Sequence, residues 1–510
     1  MAQLLPLRPD ELSSQYIGRP IAWNDGDSHV PDERDQKRPI CVNLNGTLVK
    51  TDTLVEGLIG VLSSGRGLAT LAGMLTLGRA ALKQRVAEIA GCAADLLPYN
   101  STVLAYLREK RQEGHRIVLA TAADAGVAKA VADHLELFDE VICSDGAHNL
   151  KGTAKAAALV ERFGTKGFDY VGNDRSDLPV WREAAGSVTV NARRSVTQQV
   201  RELGSPTTTF DSAAQLAPAL LRAMRPHQWS KNLLVFVPMI AALALTQTSA
   251  WVGAILLFLS LSATASALYI VNDTLDVSSD RRHPRKCLRP VASGALPIPA
   301  ALTASMMLLA IGLALAWAAG SILVIVAYAV LSLAYSLWLK RYPLVDVFAL
   351  AALYTVRVLG GGLVTGYQAS VWLLAFSGFT FLSLALVKRV GEMLAIERSA
   401  NKHSNSRRGY RPCDLPLLQI LGCAATFSSS IVLTLFITTH AAIQDYRAPE
   451  TLTLVVPIIL FWQCRLWLAT VRGNMHDDPI VYTVFDWVTW PVAATILGVM
   501  LFAQSGIYFW

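Results

Sequence analysis

The chain has 510 residues, 53% of them hydrophobic and only 16% charged, with a net charge of +7 and a mean hydropathy of +0.39. That balance excludes an ordinary soluble protein and describes one largely embedded in lipid. Seven cysteines (41, 92, 143, 287, 413, 423 and 464) lie without CxxC or His-paired spacing, which argues against a disulfide framework and against a zinc site. Residues 1 to about 220 read as a mixed soluble sequence, and the remainder is a series of apolar runs of roughly 20 residues, the length that spans a bilayer. Two domains follow. An N-terminal extension (1–36) leads into an α/β domain (37–220), and residues 221–510 form an all-α membrane domain. The start "MAQLLPLRPDELSSQ" has no basic stretch followed by a long apolar core, so no cleavable signal is expected and the first domain should stay in the cytoplasm.

In chain order, the short apolar runs "PICVNL", "RIVLAT", "EVICS", "FDYVG" and "SVTVN" alternate with helical stretches, the pattern of a parallel sheet with helices between its strands. Four pieces stand in sequence within this region: "VNLNGTLV" (42–49), Thr121 in "LATAAD", Lys155 in "KGTAKAAAL", and "VGNDRSDLPVW" (171–181). An ordinary Asn-Gly turn accounts for the first but not for the ordered set. Together they resemble the four motifs of the haloacid dehalogenase (HAD) phosphatases. The resemblance implies a Rossmann-like domain with a helical cap over about 50–100, and a site built from Asn43, Asn45, Thr121, Lys155, Asn173, Asp174 and Asp177. That family uses DxD where this chain has Asn43 and Asn45: one carboxylate attacks phosphorus, the other serves as acid and base. Both face the same side because strand side chains alternate. An amide is a very poor nucleophile and brings no charge for magnesium, so the phosphatase step is expected to be lost. Asn173 also stands where an aspartate is common. The sequence leaves open whether this is a natural loss or an alteration introduced at both positions.

Nine membrane helices are expected, starting near residues 232, 251, 298, 321, 343, 370, 414, 453 and 486. The connections after the second, fourth, sixth and eighth hold Arg281, Arg282, Arg285, Lys286 and Arg289; Lys340 and Arg341; the basic stretch from Lys388 to Arg411; and Arg472. By the positive-inside rule these connections are cytoplasmic, and an odd number of spans puts the C-terminal "GIYFW" outside. The net positive charge belongs mostly to that inner face, so no nucleic-acid partner is expected. The expected location is the plasma membrane of a bacterium.

The second apolar run closes with "NDTLDVSSD" (272–280). On a continuous helix 273, 276 and 280 are spaced i, i+3, i+7 and 272, 276 and 280 are spaced i, i+4, i+8, so Asn272 and three carboxylates share a face. Carboxylates this close repel unless a cation sits among them, and hard Mg²⁺, which keeps waters and bridges phosphate oxygens, suits an all-oxygen set. A metal and a diphosphate are expected. An acidic, solvated helix end is the plainer alternative, and a membrane exit disfavours it.

This motif resembles the first aspartate-rich motif of the UbiA superfamily of intramembrane transferases, nine-helix proteins that bind a magnesium diphosphate in a cavity opening to the cytoplasm and to lipid. The resemblance covers residues 222–510. Aromatic prenyltransferases of that superfamily carry a second DxxxD; here the corresponding place reads "LALVKRVGEM", with Lys388, Arg389 and Glu392. "RPHQWSKN" (225–232), "DRRHPRKCLRPVASG" (280–294), "YSLWLKRYPLVDVFALAALYTVRVLGGG" (335–362) and "RGNMHDDP" (472–479) resemble the branch that makes polyprenyl-phosphate phosphoribose. The chemistry agrees. A phosphoribosyltransferase must hold three anionic groups: the diphosphate and 5-phosphate of phosphoribosyl diphosphate, and the polyprenyl phosphate acceptor. By resemblance, Asp273, Asp276 and Asp280 are catalytic and hold magnesium with Asn272, helped by Asp477 or Asp478. Lys231, Lys286, Arg289, Tyr335, Lys340, Arg357, Lys388, Arg389 and Glu392 are assigned to substrate, without sorting which cation meets which phosphate. His283, His476 and Tyr354 read better as caps, bridges or interfacial anchors than as acids or bases. An active soluble domain would then remove the 5-phosphate from the phosphoribosyl lipid. Two other readings stand beside this one: a prenyltransferase with an aromatic or other small acceptor, and a non-enzymatic carrier of lipid phosphates.

Overall fold

The computed structural model describes residues 37–63, 73, 79–145, 148–210, 216–367, 370–398, 409–438, 446–475 and 478–505. The N-terminal extension, His476, Asp477 and the C-terminal "GIYFW" lie outside them. In the soluble half six strands, β1 (Ile40–Val42), β2 (Ile117–Asp124), β3 (Glu140–Ser144), β4 (Asp169–Gly172), β5 (Gly186–Val190) and β6 (Thr207–Phe210), form one parallel sheet in the order β3-β2-β1-β4-β5-β6. Five of these are the strands read from sequence; β6, "TTTF", carries too little apolar pattern to be seen there. Helices cover both faces, so alternate residues feed different cores. Ile40, Val42, Ile117 and Leu119 pack with Val127 and Val131, while Cys41, Val118 and Ala120 pack with Leu159 and Trp181. The first motif leaves the end of β1, at the centre of the sheet. Gly46 turns the chain there at φ 75°, and a Cβ on it would stand 2.2 Å from Asn173 Nδ2. Two helices within the expected cap, Thr53–Ser63 and Arg79–Ala90, pack against one another over this end.

Among the described residues of the membrane half six helices are long and apolar enough to cross a bilayer: Thr248–Leu275, Ile298–Ala318, Val345–Thr365, Val371–Arg398, Pro412–Ile437 and Pro449–Arg472. A seventh span results if Pro479–Phe485 and Thr489–Ser505, bent by 85°, are joined. Nine were expected from hydropathy, and the differences have local causes. The run near 321 becomes a helix of 16 residues, Ile322–Leu337, whose length of about 24 Å falls short of a bilayer core of about 30 Å. The run near 232 becomes a 3₁₀ segment, Pro226–Phe236, followed by a five-residue helix, Val237–Ala241. Pro226 and Pro238 each remove an N–H donor from it. Its Lys231 and Asn232 are buried, so the segment turns polar groups inward. It presses on Val345–Thr365 so closely that a Cβ on Gly361 would lie 2.1 Å from the Val235 carbonyl oxygen. Trp317, Leu323 and Val371 point outward and exposed, as side chains meant for lipid do.

The halves are joined by more than the chain. The linking helix Leu216–Met224 buries Ala219 and Ala223 in one cluster with Ile59 of the cap and Ile270, Val277 and Val291 of the membrane half. Arg281 grips Glu56 with two hydrogen bonds, of 2.9 and 2.5 Å, and donates to the Ala292 carbonyl at 2.8 Å.

Candidate active site

The aspartate motif does not lie on one continuous helix. The Thr248–Leu275 helix stops at Asp276, which leaves helical geometry at φ −90°, ψ 6°, and a new helix runs Val277–Arg281. Across the break the Asp276 N–H still donates to the Asn272 carbonyl at 2.9 Å and the Asp280 N–H to the Asp276 carbonyl at 2.8 Å, and Asp280 and Asp273 meet at one arginine. Both are buried, and both accept from the same Nη1 of Arg289, at 2.6 and 2.9 Å; Asp273 also accepts two bonds from Arg225, at 2.6 and 2.8 Å. Asp276 stands apart. It accepts from the Asn272 amide at 3.0 Å, has the Lys340 ammonium at 4.0 Å, and is 37% exposed. Among the described residues no group of three or more His, Cys, Asp or Glu is placed to hold a metal. Asn272, Asp273, Asp276 and Asp280 are thus not gathered around one point: a guanidinium occupies the space between two of the carboxylates.

A second cluster centres on Asp478. Its Oδ2 lies 2.8 Å from both the Lys231 and Lys388 ammonium groups, and the Tyr354 hydroxyl donates to it from 3.2 and 3.3 Å. Three elements therefore converge on one buried carboxylate: the 3₁₀ segment, Val345–Thr365 and Val371–Arg398. Below it Arg357 is fixed by Asn232 Oδ1 at 2.8 Å and stacks over Tyr328 at 4.8 Å, while Asn232 donates to Ser262 at 3.0 Å. Tyr269 connects the clusters, with Arg225 over its ring at 5.2 Å and Arg357, Lys388 and Asp478 close enough for it to feel their charges. Arg225 reaches this place from a left-handed turn at φ 54°, a conformation that costs about 1–2 kcal/mol for a residue with a Cβ.

Not every cation expected at substrate comes here. Arg389, adjacent to Lys388, points elsewhere: it pairs with Asp346 and Glu392 and stacks on Tyr410, whose hydroxyl donates to Asp346 at 2.6 Å. Glu392 is accordingly a partner of Arg389. Lys286 is exposed on the 3₁₀ turn Lys286–Leu288, and Tyr335 packs between two apolar clusters. His283 Nδ1 accepts from the backbone N–H of Arg285 and Lys286, the capping role expected of it. Arg225, Asn232, Tyr269, Asp346 and Tyr410 were not singled out from sequence. Arg225 and Asn232 begin and end "RPHQWSKN", so their signal was present; Tyr269 looks like any other apolar position of its helix.

In the soluble half the residues of the four motifs do converge. Lys155, almost wholly buried, donates to Asn43 Oδ1 at 3.1 Å and to the Tyr170 hydroxyl at 2.9 Å, and pairs with Asp177 at 3.3 Å. Burial holds the Lys155 ammonium below its ordinary pKa, against the pull of Asp177, and burial pushes the Tyr170 hydroxyl well above its own. Asn43 Nδ2 donates to the Asn45 carbonyl at 3.0 Å and to Asn173 Oδ1 at 3.3 Å, and Asn45 Oδ1 accepts from the Thr53 hydroxyl and N–H. Thr121 lies beneath, buried, its oxygen accepting from the Ala123 N–H at 3.0 Å. Asp174 is the exposed carboxylate of the set. With Asp177 already paired and Asp174 accepting from the Ser176 hydroxyl at 3.2 Å, the motif residues are a poor fit for the magnesium that HAD chemistry needs.

Comparison with known proteins matches residues 233–490 to the UbiA prenyltransferase family and residues 60–182 to the haloacid dehalogenase-like hydrolases. An uncharacterised protein of Sinorhizobium fredii is 34% identical over 476 residues, which is 92% of each chain. The nodulation protein NoeC of Azorhizobium caulinodans is 31% identical over 52% of this chain and 86% of its own. The decaprenyl-phosphate phosphoribosyltransferase of Corynebacterium glutamicum is 34% identical over 42% of this chain and 66% of its own.

Proposed function

The chain belongs to the UbiA prenyltransferase family, and from that premise we propose that its membrane half is a polyprenyl-phosphate phosphoribosyltransferase working at the cytoplasmic surface. It moves 5-phosphoribose from phosphoribosyl diphosphate to a polyprenyl phosphate and releases diphosphate. The observation that carries this reading is the surplus of cations around Tyr269. Arg225 and Arg289 are balanced by Asp273 and Asp280, but in the other cluster Lys231, Lys388 and Arg357 have the single carboxylate of Asp478 among them. One prenyl diphosphate with a neutral acceptor leaves that charge unexplained, whereas three anionic groups use it. The likeness to the Corynebacterium glutamicum enzyme supports the same substrates.

In the reaction, the bond from ribose C1 to the diphosphate breaks with its electron pair leaving on the diphosphate, while an oxygen of the polyprenyl phosphate attacks C1 from the opposite face. The acceptor is already an anion and needs no general base. Lys231 and Lys388 hold it, their ammonium groups oriented by Asp478 and Tyr354. Arg225 and Arg289 lie where the diphosphate arrives, and preorganised cations of this kind favour the charge developing there. Asn272 and Asp276 fit a magnesium ion: they are neighbouring oxygen donors, not held by an arginine, on an exposed helix end. Mg²⁺ is commonly held by one or two carboxylates together with substrate phosphates, and it would neutralise the departing diphosphate.

The soluble half is proposed as a pocket that holds phosphoryl groups without hydrolysing them, because Asn43 offers an amide where a nucleophile would stand. The deciding experiment incubates purified protein with labelled phosphoribosyl diphosphate, polyprenyl phosphate and Mg²⁺ and extracts the lipid. Label in the lipid phase is expected. Consumption of prenyl diphosphate with phosphoribosyl diphosphate ignored would replace this reading by prenyl transfer to a small acceptor. Binding without diphosphate release would replace it by a lipid-phosphate carrier.

A further inference from the structure

One face of the Thr248–Leu275 helix carries Ser262, Ser266, Tyr269 and Asp273, spaced i, i+4, i+7 and i+11, and each meets the stretch that begins at Arg225. Ser262 accepts from the Asn232 amide at 3.0 Å, Ser266 from the Trp229 indole at 3.0 Å, and Asp273 from Arg225, whose guanidinium also lies over the Tyr269 ring at 5.2 Å. The two ends of this line serve different clusters. Asp273 holds Arg225 and Arg289, while Ser262 steadies the Asn232 that fixes Arg357. Tyr269 stands between them, one turn from Asp273, with the charges of Arg357, Lys388 and Asp478 reaching it from the far side.

The Tyr269 hydroxyl has no task within the protein. That of Tyr328 accepts from Arg357 at 3.3 Å and that of Tyr354 donates to Asp478, but among the described residues the Tyr269 hydroxyl has no hydrogen-bond partner. Nor is it sealed off: unlike Thr264 Oγ1 and Thr380 Oγ1, which are buried without a partner, it belongs to a half-buried residue.

We propose that Tyr269 sets the choice of donor: its hydroxyl hydrogen-bonds a hydroxyl of the ribose, so that the site takes a sugar diphosphate in preference to an allylic one. This rests on the phosphoribosyl-transfer reading. Ribose C1 is bonded to the diphosphate and attacked by the acceptor phosphate, so the sugar lies between the cations that hold the two, which is where Tyr269 stands. A ribose presents hydroxyl groups there, and an allylic chain presents only carbon. A phenol that gives up water to meet carbon loses its hydrogen bond outright, and a site built to bond a substrate hydroxyl rejects the analogue that lacks it. Arg225 holds the ring before the donor arrives, so the contact needs no reorganisation.

Tyr269→Phe removes only an oxygen that bonds nothing among the described residues, so Tm should stay as it is. Full-length parent and variant, in phosphatidylcholine nanodiscs with Mg²⁺ and polyprenyl phosphate, are assayed with phosphoribosyl diphosphate and with its 2-deoxy and 3-deoxy analogues. With the natural donor kcat/KM should fall about tenfold, the loss of one hydrogen bond, while the KM for polyprenyl phosphate is unchanged. With one of the deoxy donors parent and variant should be equal, because the bond is then missing from both. Inhibition by geranyl diphosphate should be undiminished in the variant. An unaltered kcat/KM, the same penalty with both deoxy donors, or a lowered Tm, which would give the oxygen to the fold, overturns the proposal. So does an inhibition by geranyl diphosphate that weakens as much as use of the natural donor, since Tyr269 would then read the diphosphate common to both. A parent that transfers nothing from phosphoribosyl diphosphate ends the phosphoribosyl-transfer reading itself, whereas transfer by the parent with an indifferent variant ends this inference alone.

Discussion

Lys388 and Arg389 are consecutive, yet a helix turns about 100° per residue, so they serve different neighbours. Lys388 joins Lys231 at Asp478, and Arg389 neutralises the fully buried Asp346. Their removal should therefore be felt differently. Lys388→Ala is expected to raise the KM for polyprenyl phosphate about tenfold, the loss of one charge-assisted bond, with a smaller change for phosphoribosyl diphosphate and little change in Tm. Arg389→Ala strands a buried carboxylate and should cost about 3–5 kcal/mol of stability, while protein that remains folded keeps a near-normal KM. Thermal unfolding alongside initial rates separates the two, and equal KM effects would mean that both residues reach the substrate. The asparagines of the soluble half make a related case. Asn43→Asp points a carboxylate at the Asn45 carbonyl and the Asn173 amide oxygen, where Asn43 now donates. It should lower stability by about 1–3 kcal/mol in EDTA. Combined with Asn45→Asp it should regain stability in Mg²⁺ and release phosphate from a small phosphomonoester, whereas Asn43→Asp alone lacks an acid for the leaving oxygen. A double variant indifferent to Mg²⁺ would show that the metal position is gone.

At the level of elements, the aspartate motif is divided between two surroundings on either side of Asp276, the arginine-paired Asp273 and Asp280 and the more exposed Asn272 and Asp276. Asp276→Asn, which changes one charge and almost no volume, should abolish transfer at ordinary Mg²⁺ with Tm preserved. Asp273→Asn should lower Tm first, because Arg225 and Arg289 lose their shared buried partner, at about 3–5 kcal/mol. Melting curves and rates on both variants check this, and retained turnover in Asp276→Asn would remove it from the metal. The motif itself was legible because carboxylates at a membrane exit stand out against apolar sequence. Its geometry was not: an i, i+3, i+7 reading assumes an unbroken helix, and what brings Asp280 back to Asp273 is Arg289, reached through a turn that no periodicity announces. The strands β1 to β5 were legible for the opposite reason, since short apolar runs buried on both faces leave few other structures. Hydropathy expects nine spans, and among the described residues six helices, or seven with the bent pair joined, are long and apolar enough to cross. The "NLLVFVPMIAALAL" run is apolar enough to cross, but it is divided between a 3₁₀ segment and a five-residue helix and buries Lys231 and Asn232. The residues hardest to foresee were those whose role depends on a partner far along the chain, such as Asp346 with Tyr410 and Arg389.

Across the whole molecule, Arg281 ties the membrane half to the cap by an ion pair with Glu56. It follows Asp280 directly, holds the Ala292 carbonyl of the turn that opens the Ile298–Ala318 helix, and pairs bidentately with Glu56 of the cap; both side chains are nearly buried. A buried guanidinium left without its carboxylate is costly, so the cap and the aspartate motif prefer to be docked together. Glu56→Gln keeps shape and hydrogen bonding but removes the charge, and it should lower transferase kcat several-fold although Glu56 is remote from substrate. Arg281→Met should do the same by removing the other partner. If the pair acts as one link, the double variant Glu56→Gln with Arg281→Met will be little worse than either single one, with a coupling of about 1–3 kcal/mol in the double-mutant cycle. Hydrogen exchange of residues 290–299 gives a readout independent of turnover, since faster exchange in Glu56→Gln is expected only if the cap holds that turn in place. Additive effects on kcat with unchanged exchange would mean that the soluble half merely rests on the membrane half, and that Arg281 acts on Asp280 alone.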